Sequence, residues 1–467
     1  MRILETLSWN EIAAAIGASV EGTPVRAARG ASIDTRTIEP GDIFVALKGE
    51  RVNGHDHVEA AFVKGASCAV IKKGHLPPEG TFALVVRDPE AALFELGRLV
   101  RARSGALFVA ITGSAGKTTA KEFTAEVLKA NGPVLATRGN LNNHLGVPLT
   151  LARLETDHWA AVIECGMSHS GELSRLADLV RPKIAAITNV APVHLEFFDS
   201  VAGIAAAKAE IFETLGTNDT AVAPADEPLL WSRALATKAR VRLFGEGARS
   251  SVKASDISMT LDGSRFQVEA GGERCAVTLP APGPHAIANF LLATAVATAA
   301  GLSLATCAER ASNLRPGSNR GSVRHLQGDI LLIDDTYNSN PKALQKAVET
   351  LALAKDRRRV ACIGDMLELG PDGARLHREA GAAIGSQIDL LIGVGTLAEQ
   401  LVLGASNLPA EAKCLFENST ALASRVAELV HDRDAVLVKG SRGMRMERVV
   451  EALVAAHPVA AHPEAAL

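Results

Sequence analysis

The architecture of this chain can be inferred from one stretch, Leu107-Phe-Val-Ala-Ile-Thr-Gly-Ser-Ala-Gly-Lys-Thr-Thr119. An apolar run leads into a glycine-rich loop, and a helix is predicted from about Thr118. Glycine lets such a loop turn tightly, so that successive N–H groups face an anion, while Lys117 adds a charge and Thr118 offers a hydroxyl to Mg²⁺. The full Walker pattern has glycine where Ile111 stands, so this loop is a shorter variant. The order of strand, loop, Lys-Thr and helix predicts a phosphate-binding loop; the alternative is a turn that binds nothing.

Similar apolar runs that end on polar residues follow this loop. Residues 159–163 run into Glu164, and residues 184–187 run into Thr188-Asn189. Near-continuous apolar strands separated by helices are typical of a parallel sheet covered on both faces, and such sheets bind ligands at the carboxyl ends of their strands. Glu164 is therefore a candidate metal ligand beside the loop, and a solvated loop carboxylate is the alternative.

Two further residues follow the run at 184–187. His194 is a lone histidine, and such a residue is more often structural or exposed than a metal ligand. Lys208 lies in an alanine-rich helical sequence, where a lysine ordinarily extends its amine to solvent. Taken alone, neither residue indicates a function.

The rest of the chain divides into three parts. A length of 467 residues favours about three domains at roughly 150 residues each. Short strand-like runs mixed with turns predict a small α/β domain over 1–86. Alternating strands and helices extend over 87–316, and the pattern restarts over 317–467. We therefore predict an α/β protein with a small N-terminal domain, a central P-loop domain with a parallel sheet, and a C-terminal Rossmann-like domain.

Composition and charge exclude several classes of protein. Hydrophobic residues make up 47% and charged residues 22%, which is globular usage. A net charge of −3 provides no overall attraction to nucleic acid or to an anionic membrane. The uncharged run at 286–308 is alanine-rich and predicts a buried helix ending near Gly301, without membrane insertion. Six cysteines without a C-x-x-C pair indicate reduced thiols, and Glu5 and Glu11 interrupt any signal-peptide core, so we expect a cytoplasmic protein.

Taken together, the motifs resemble the Mur ligase family. The resemblance rests on the short loop at 112–119, the strand-end glutamate, N-x-x-x-x-H at 189–194, A-A-K at 206–208, G-x-H-x-x-x-N at 283–289 and D-D-T-Y-N at 334–338. It covers essentially the whole chain in three domains. Residues 139–148, 334–341, 364–370 and 439–442 are most similar to the branch that adds D-alanyl-D-alanine to UDP-N-acetylmuramoyl-tripeptide.

This resemblance implies an ATP-dependent ligase of peptidoglycan biosynthesis, and thereby a role in cell-wall biogenesis, cell shape and cell division. The three domains would bind the UDP substrate (1–86), ATP (87–316) and the amine (317–467). Ligases that add the third amino acid, folate polyglutamate ligases, and a P-loop module that binds nucleotide without ligation are the alternatives. We expect a monomer that acts on small molecules, with no nucleic-acid partner.

The resemblance also implies roles for individual residues. Two Mg²⁺ ions are expected, one held by Thr118 and Glu164, the other by His194 and by Lys208 carbamylated with CO₂. The implied catalytic residues are Lys117, Lys208, His194, Arg320, Asp335 and Tyr337, the last being the chain's one tyrosine. The implied nucleotide contacts are Gly113, Ser114, Ala115, Gly116, Lys117, Thr118, Thr119, His285, Asn289, Arg320 and Asp335. A locally satisfied helix amide is the alternative for Asn289, and Arg324 is the alternative to Arg320.

Substrate contacts are implied in three places. Ser32, Thr35 and Arg36 match the segment that binds the UDP end, with D-T-R where D-S-R is usual. The remaining candidates are Asn140, Asn142, Asn143, Asn338, Asn340, Lys439 and Arg442. Because Lys439, Arg442, Arg445 and Arg448 recur every three residues, a solvated basic helix face is the alternative for the last two candidates.

Overall fold

A computed structural model describes residues 1–192 and 197–460. The strands of these residues form three separate sheets, of five, nine and six strands in chain order. The α/β class is therefore confirmed, and each predicted part of the chain contains one sheet.

The first sheet is parallel except at one edge. Its order is β1-β5-β4-β3-β2, and β1 pairs antiparallel with β5. The helix α1 begins with a reciprocal cap between Ser8 and Glu11, and α3 begins at the Asp88 cap. The elements are α1 (Trp9–Ile16), β1 (Ser19–Glu21), β2 (Gly30–Ser32), β3 (Asp42–Val45), α2 (Val58–Val63), β4 (Cys68–Lys72), β5 (Ala83–Val86) and α3 (Pro89–Arg103).

The second sheet contains the phosphate loop, which follows the third strand from one edge. Its elements are β6 (Leu107–Thr112), α4 (Lys117–Leu128), β7 (Val134–Ala136), α5 (Gly146–Leu151), β8 (Ala160–Glu164), α6 (Glu172–Val180), β9 (Ile184–Ile187), α7 (Val201–Ala209), β10 (Thr220–Pro224), α8 (Pro228–Leu235), β11 (Arg240–Gly245), β12 (Val252–Thr260), β13 (Gly263–Ala270), β14 (Glu273–Leu279), α9 (Pro284–Ala299) and α10 (Leu304–Arg310). The order is β14-β13-β12-β11-β10-β9-β6-β8-β7, parallel from β7 to β12 and antiparallel through β14.

Strand β6 is buried on both faces, as its unbroken apolar sequence predicts. Phe108 and Ala110 join the core shared with α3, α5 and α6, whereas Val109 and Ile111 join the core under α4 and α9. In register, Ile111 pairs with Glu164 on β8, and Thr112 pairs with Ile187 on β9. The loop after β6 therefore lies directly between the ends of β8 and β9.

The uncharged run at 286–308 forms two helices. α9 ends at Ala299, Gly301 has a left-handed φ of 96°, and α10 starts at Leu304. α9 is buried against α4 and the sheet, so the predicted buried helix is confirmed. Within residues 1–192 and 197–460, no helix is long and apolar enough to cross a membrane.

The third sheet has the order β15-β16-β20-β17-β18-β19, with β15 antiparallel at one edge. Its elements are β15 (Ser322–Leu326), β16 (Ile330–Asp335), α11 (Pro341–Leu351), β17 (Arg359–Gly364), α12 (Gly373–Ile384), β18 (Leu390–Val394), α13 (Ala398–Gly404), β19 (Lys413–Phe416), α14 (Ser419–Ala423), α15 (Val426–Leu429), β20 (Ala435–Lys439) and α16 (Glu447–Ala456).

The interpretation of residues 439–448 as one basic helix face is wrong. Lys439 is the buried last residue of β20, Arg442 lies in a short 3-10 turn, and Arg445 has a left-handed φ of 52°. Arg448 alone lies on α16. Regular spacing in the sequence misleads here because the chain changes from strand to turn to helix within these ten residues.

Candidate active site

A cavity of about 1180 Å³ lies between the second and third sheets. The phosphate loop and Glu164 line it from the second sheet, and Asp335 and Tyr337 line it from the third. The carboxyl ends of β6, β8 and β16 thus meet at one place, which is where ligands bind in open α/β sheets.

The two glycines that flank the loop are required by close packing. A Cβ on Gly113 would lie 1.9 Å from Thr188 Oγ1, and one on Gly116, whose φ is 79°, would lie 2.9 Å from Asn289 Oδ1. Lys117 starts α4 and donates from Nζ to the Gly113 carbonyl at 2.8 Å. Removal of solvent from the amine lowers the pKa of Lys117, against the opposing effect of Glu164.

Two residues at the end of β9 brace the loop. Thr188 Oγ1 donates to the Ala115 carbonyl at 2.6 Å, and Asn189 Oδ1 accepts from the Ala115 N–H at 3.0 Å. Ser114 Oγ is bonded to the backbone of Ala191. In the sequence, Thr188-Asn189 indicates only the end of an apolar strand. Their position after an apolar strand was the available signal.

Glu164 is the centre of a polar cluster at the end of β8. Its side chain, in a residue 2% exposed, accepts from Thr118 Oγ1 and from Asn142 Nδ2, both at 2.8 Å. The structure therefore brings Thr118 and Glu164 together as predicted. Within the described residues, no group of three or more His, Cys, Asp or Glu side chains could hold a metal ion. Hydroxyl, carboxylate and amide oxygens fit Mg²⁺, which usually keeps waters and substrate phosphates as its other ligands.

Lys208 lies on α7 and is almost completely buried, with 2% of its surface exposed. Burial and the charge of Lys117 hold the pKa of Lys208 well below its ordinary value. Among the described residues, none accepts a hydrogen bond from its amine. The ordinary expectation, a lysine that extends its amine to solvent, is therefore wrong for Lys208. The other expected ligand of that metal, His194, lies outside the described residues.

Arg320 and Tyr337 form a stacked pair at the cavity. The Arg320 guanidinium carbon lies 3.6 Å from the centre of the Tyr337 ring. Arg324 instead donates to Asp334 at 2.9 Å on the adjacent strands. Of the two arginines left open by the sequence, Arg320 is the one that faces the cavity.

Asp335 and Lys439 form an ion pair beside this stack. Lys439 Nζ lies 2.6 Å from Asp335 Oδ2 and donates to the Asn338 carbonyl at 2.8 Å. The buried lysine thus contacts the last residue of β16 and the loop that follows this strand. Lys439 orders the loop that carries Tyr337.

The candidates on α9 lie at two different places. Asn289 is buried against Gly116 of the loop. His285 lines the cavity near the third sheet, and its shielded Nδ1 has no hydrogen-bond partner among the described residues. Loss of solvent around the ring lowers the pKa of His285.

The substrate candidates divide between the cavity and other surfaces. The cavity lining includes Asn142, Asn143, Asn338 and Asn340. Two of these also cap backbone: Asn143 accepts from Gly146 N–H and Asn340 from Ala343 N–H, each at 2.9 Å. The residues that the lining does not include are Asn140, Arg442, Ser32, Thr35 and Arg36. Arg442 is exposed near Glu447, and Arg36 pairs with Asp34 at 2.7 Å on the first domain.

One contact that the sequence did not predict crosses the cavity. Lys342 at the start of α11 donates to Glu227 and, at 3.3 Å, to the Val190 carbonyl of the second sheet. The third sheet is thereby held against the phosphate-loop side.

Comparison with known proteins identifies the family. Three family models match: "Mur ligase family, catalytic domain" over residues 28–94, "Mur ligase middle domain" over 111–297, and "Mur ligase, glutamate ligase domain" over 319–442. The UDP-N-acetylmuramoyl-tripeptide–D-alanyl-D-alanine ligase of Escherichia coli (strain K12) is 38% identical over 428 residues, which cover 90% of this chain and 92% of that protein. The chain belongs to the Mur ligase family.

Solved structures of other Mur ligases share the fold. MurF from Acinetobacter baumannii (crystal structure I) has a TM-score of 0.87 at 30% identity, covering 96% of this chain and 98% of that one. A structure of the UDP-N-acetylmuramoylalanyl-D-glutamyl-2,6-diaminopimelate–D-alanyl-D-alanyl ligase from Acinetobacter baumannii has a TM-score of 0.84 at 30% identity, with the same coverage. MurF ligase from Thermotoga maritima, in complex with ADP, has a TM-score of 0.80 at 27% identity, covering 91% and 96%.

Proposed function

We propose that this Mur ligase joins D-alanyl-D-alanine to UDP-N-acetylmuramoyl-tripeptide at the expense of ATP, giving the pentapeptide precursor of peptidoglycan. The names of its relatives support this reaction. The observation that carries it is one cavity in which the phosphate loop, buried Glu164 and the Arg320–Tyr337 pair meet. Residues 1–86 bind the UDP substrate through Ser32, Thr35 and Arg36, residues 87–316 bind ATP, and residues 317–467 bind the amine. The enzyme works in the cytoplasm as a monomer.

The chemistry has two steps. A carboxylate is a poor acyl donor, so an oxygen of the tripeptide carboxylate first attacks the γ-phosphorus of ATP, and ADP leaves. The D-alanyl-D-alanine amine then attacks the acyl phosphate carbon, and the tetrahedral intermediate collapses with loss of phosphate and a proton. Phosphoryl transfer depends on positioning and on charge neutralisation more than on covalent help. The loop N–H groups, Lys117 and Arg320 supply these.

Two Mg²⁺ ions complete the charge balance in this proposal. Thr118 and Glu164 would hold one ion, and His194 with carbamylated Lys208 the other; bound Mg²⁺ neutralises phosphate oxygens. Carbamylation joins the lysine nitrogen to the carbon of CO₂ with loss of one proton, and it requires a neutral amine. Burial of Lys208 and the charge of Lys117 lower the pKa of this lysine and so favour the neutral amine.

Water must be kept from the acyl phosphate. The Lys342 bridge to Glu227 and Val190 closes the third sheet against the second, and the Tyr337 ring covers Arg320. Water exclusion also strengthens the electrostatic contacts inside the site.

The deciding experiment is phosphate release measured with UDP-N-acetylmuramoyl-tripeptide and a panel of amines. We expect activity restricted to D-alanyl dipeptides. Activity with UDP-muramoyl dipeptide and an amino acid would instead indicate a ligase for the third residue, and hydrolysis of ATP indifferent to the muramoyl peptide would indicate a nucleotide-binding module.

Lys117→Ala tests the phosphate loop in the same assay. We expect ADP release to fall at least a hundredfold, because the variant loses the loop's cation. Lys129→Ala is the control. Lys129 is an exposed lysine that lies just after α4 and pairs with Glu126. Normal ADP release by Lys117→Ala would contradict the assignment.

A further inference from the structure

One wall of the cavity carries charged side chains that the proposed mechanism does not use. The wall consists of Glu90 on α3, His144 before α5, His169, and Glu172 and Arg175 on α6, all of which line the cavity. We call these five residues the charged wall.

Most of the charged wall is internally paired. His144 Nε2 lies 3.7 Å from Glu90 Oε1, and His169 Nδ1 lies 3.5 Å from Glu172 Oε1. Glu172 Oε2 also accepts from the Ser168 N–H at 2.7 Å. Arg175 has neither an ion pair nor a side-chain hydrogen bond within the described part of the chain. The charged wall therefore presents one cation whose donors are available to a ligand.

Arg175 is held in place by an aromatic ring. Its guanidinium carbon lies 4.6 Å from the centre of the buried Phe94 ring. Stacking of this kind fixes the plane of a guanidinium and leaves its N–H edge available for a carboxylate. Arg98 shares the same ring at 5.6 Å but is paired with Glu95 and Asp178, and the cavity lining does not include it.

The charged wall lies close to the reaction centre. Asn142 donates to Glu164. His144 comes two residues later, so the two Cα atoms lie at most about 7 Å apart. On the other side, Ser168 comes four residues after Glu164 and bonds to Glu172, with Arg175 on the same face of α6 about 5–6 Å further on.

Residue three of the tripeptide carries the carboxylate that is activated beside Glu164. The side chain of diaminopimelate or lysine spans about five bonds of roughly 1.5 Å, so its end lies about 6 Å away. The end of that side chain therefore falls within reach of the charged wall.

The two candidates for residue three differ in charge at that end. Lysine carries an ammonium group, whereas diaminopimelate carries an ammonium and a carboxylate on the same carbon. We infer that Arg175 binds the distal carboxylate of diaminopimelate and makes this enzyme prefer a diaminopimelate tripeptide to a lysine tripeptide. Glu172 and Glu90 lie nearby for the ammonium group. The inference rests on the proposed function.

The test compares the two tripeptides as substrates for wild type, Arg175→Gln and Arg98→Gln, with D-alanyl-D-alanine held constant. We expect wild type to favour the diaminopimelate substrate at least tenfold in kcat/KM. Arg175→Gln should lose at least tenfold on that substrate, mostly through KM, and change less than twofold on the lysine substrate. Arg98→Gln should keep the wild-type preference, because it alters the same stack without facing the cavity.

Equal use of the two tripeptides by wild type would overturn the inference while leaving the ligase reaction intact. So would an equal loss on both substrates in Arg175→Gln, which would mean that Arg175 binds a group common to the two. Absence of ligation with either tripeptide would instead refute the proposed function. Thermal melting of each variant shows that a loss in kcat/KM does not come from unfolding.

Discussion

We propose that Tyr337 acts through Arg320 rather than through its hydroxyl. The ring lies 3.6 Å from the guanidinium carbon, and among the described residues no group bonds to the hydroxyl. We predict that Tyr337→Phe keeps kcat/KM within twofold. Tyr337→Ala should lose about 2- to 30-fold, since a stacked cation gains ~0.5–2 kcal/mol from the ring. If steady-state kinetics show the Phe variant as impaired as the Ala variant, the hydroxyl has a role that this geometry does not include.

Lys208 is a buried amine whose lowered pKa favours reaction with CO₂. We predict that Lys208→Ala is inactive, that short-chain carboxylates partly restore it by replacing the lost oxygens, and that removal of bicarbonate slows wild type. Lys121→Met is the matched control, because Lys121 is also buried but already donates to the Thr137 carbonyl at 2.8 Å. Its loss should lower stability with no rescue by carboxylates. Full activity of Lys208→Ala without added carboxylate would refute the carbamate.

Some of these residues could be located from the sequence and others could not. Thr118 and Glu164 follow adjacent apolar strands, and the carboxyl ends of parallel strands meet, so their contact was predictable. The bracing by Thr188 depends on β9 lying beside β6, an order that no local pattern reveals because β8 intervenes in the sequence. Lys439 turns inward to Asp335, and only the folded third sheet brings that partner to it.

Among the larger elements, strands buried on both faces were the predictable ones. β6, β8 and β9 are unbroken apolar runs and were all anticipated. The antiparallel meander β12–β14 was not, because one face of these strands is exposed and their sequence alternates with polar residues. These three strands pair with their neighbours in sequence, and β12 joins them to the parallel strands through β11.

Helix α12 holds the loop that follows β17 through a buried histidine. His377 Nε2 accepts from the Met366 N–H at 2.9 Å, and Nδ1 lies 2.7 Å from the Gly373 carbonyl, so the ring is neutral. Burial lowers the pKa of His377 below its ordinary value near 6.5. Below pH 6.5 the unfolded chain therefore binds a proton at His377 that the folded chain does not bind. The stability due to His377 is thus complete above pH 6.5 and is lost as the pH falls toward the folded pKa.

We predict that the free energy of unfolding of the third sheet decreases between pH 7 and pH 5, with a slope of at most about 1.4 kcal/mol per pH unit from this one group. His377→Gln should flatten that slope, and His377→Ala should also cost ~1–3 kcal/mol at pH 7 by leaving the Met366 N–H unsatisfied. Urea unfolding at a series of pH values measures both effects. The same slope in wild type and His377→Gln would assign the pH dependence to other groups.

Across the molecule, ion pairs join the three sheets. Lys342 links the third sheet to the second, and Arg153, just after α5, links the second to the first. Arg153 contacts both oxygens of Asp42 at 2.8 and 2.6 Å and donates to the Ala31 carbonyl at 3.2 Å. Ala31 precedes the proposed UDP-binding loop, so this arginine fixes the position of that loop relative to the phosphate site.

The Asp42 side chain is fully buried. Removal of Arg153 alone should therefore cost more stability than the ion pair itself contributes. We predict that Arg153→Met destabilises the junction of the first two sheets by ~3–5 kcal/mol, since it leaves a buried carboxylate with only the Glu39 N–H, at 3.0 Å, and Arg2, 3.9 Å away, as partners among the described residues. The double variant Arg153→Met with Asp42→Asn should recover much of that loss, because it removes the stranded charge.

Tryptophan fluorescence during urea unfolding reports this junction, because Trp9, Trp159 and Trp231 all lie before the third sheet. We expect KM for the UDP substrate to rise in Arg153→Met while KM for ATP stays near wild type. Equal destabilisation in the single and double variants would show that Arg153 contributes by packing and not by its charge.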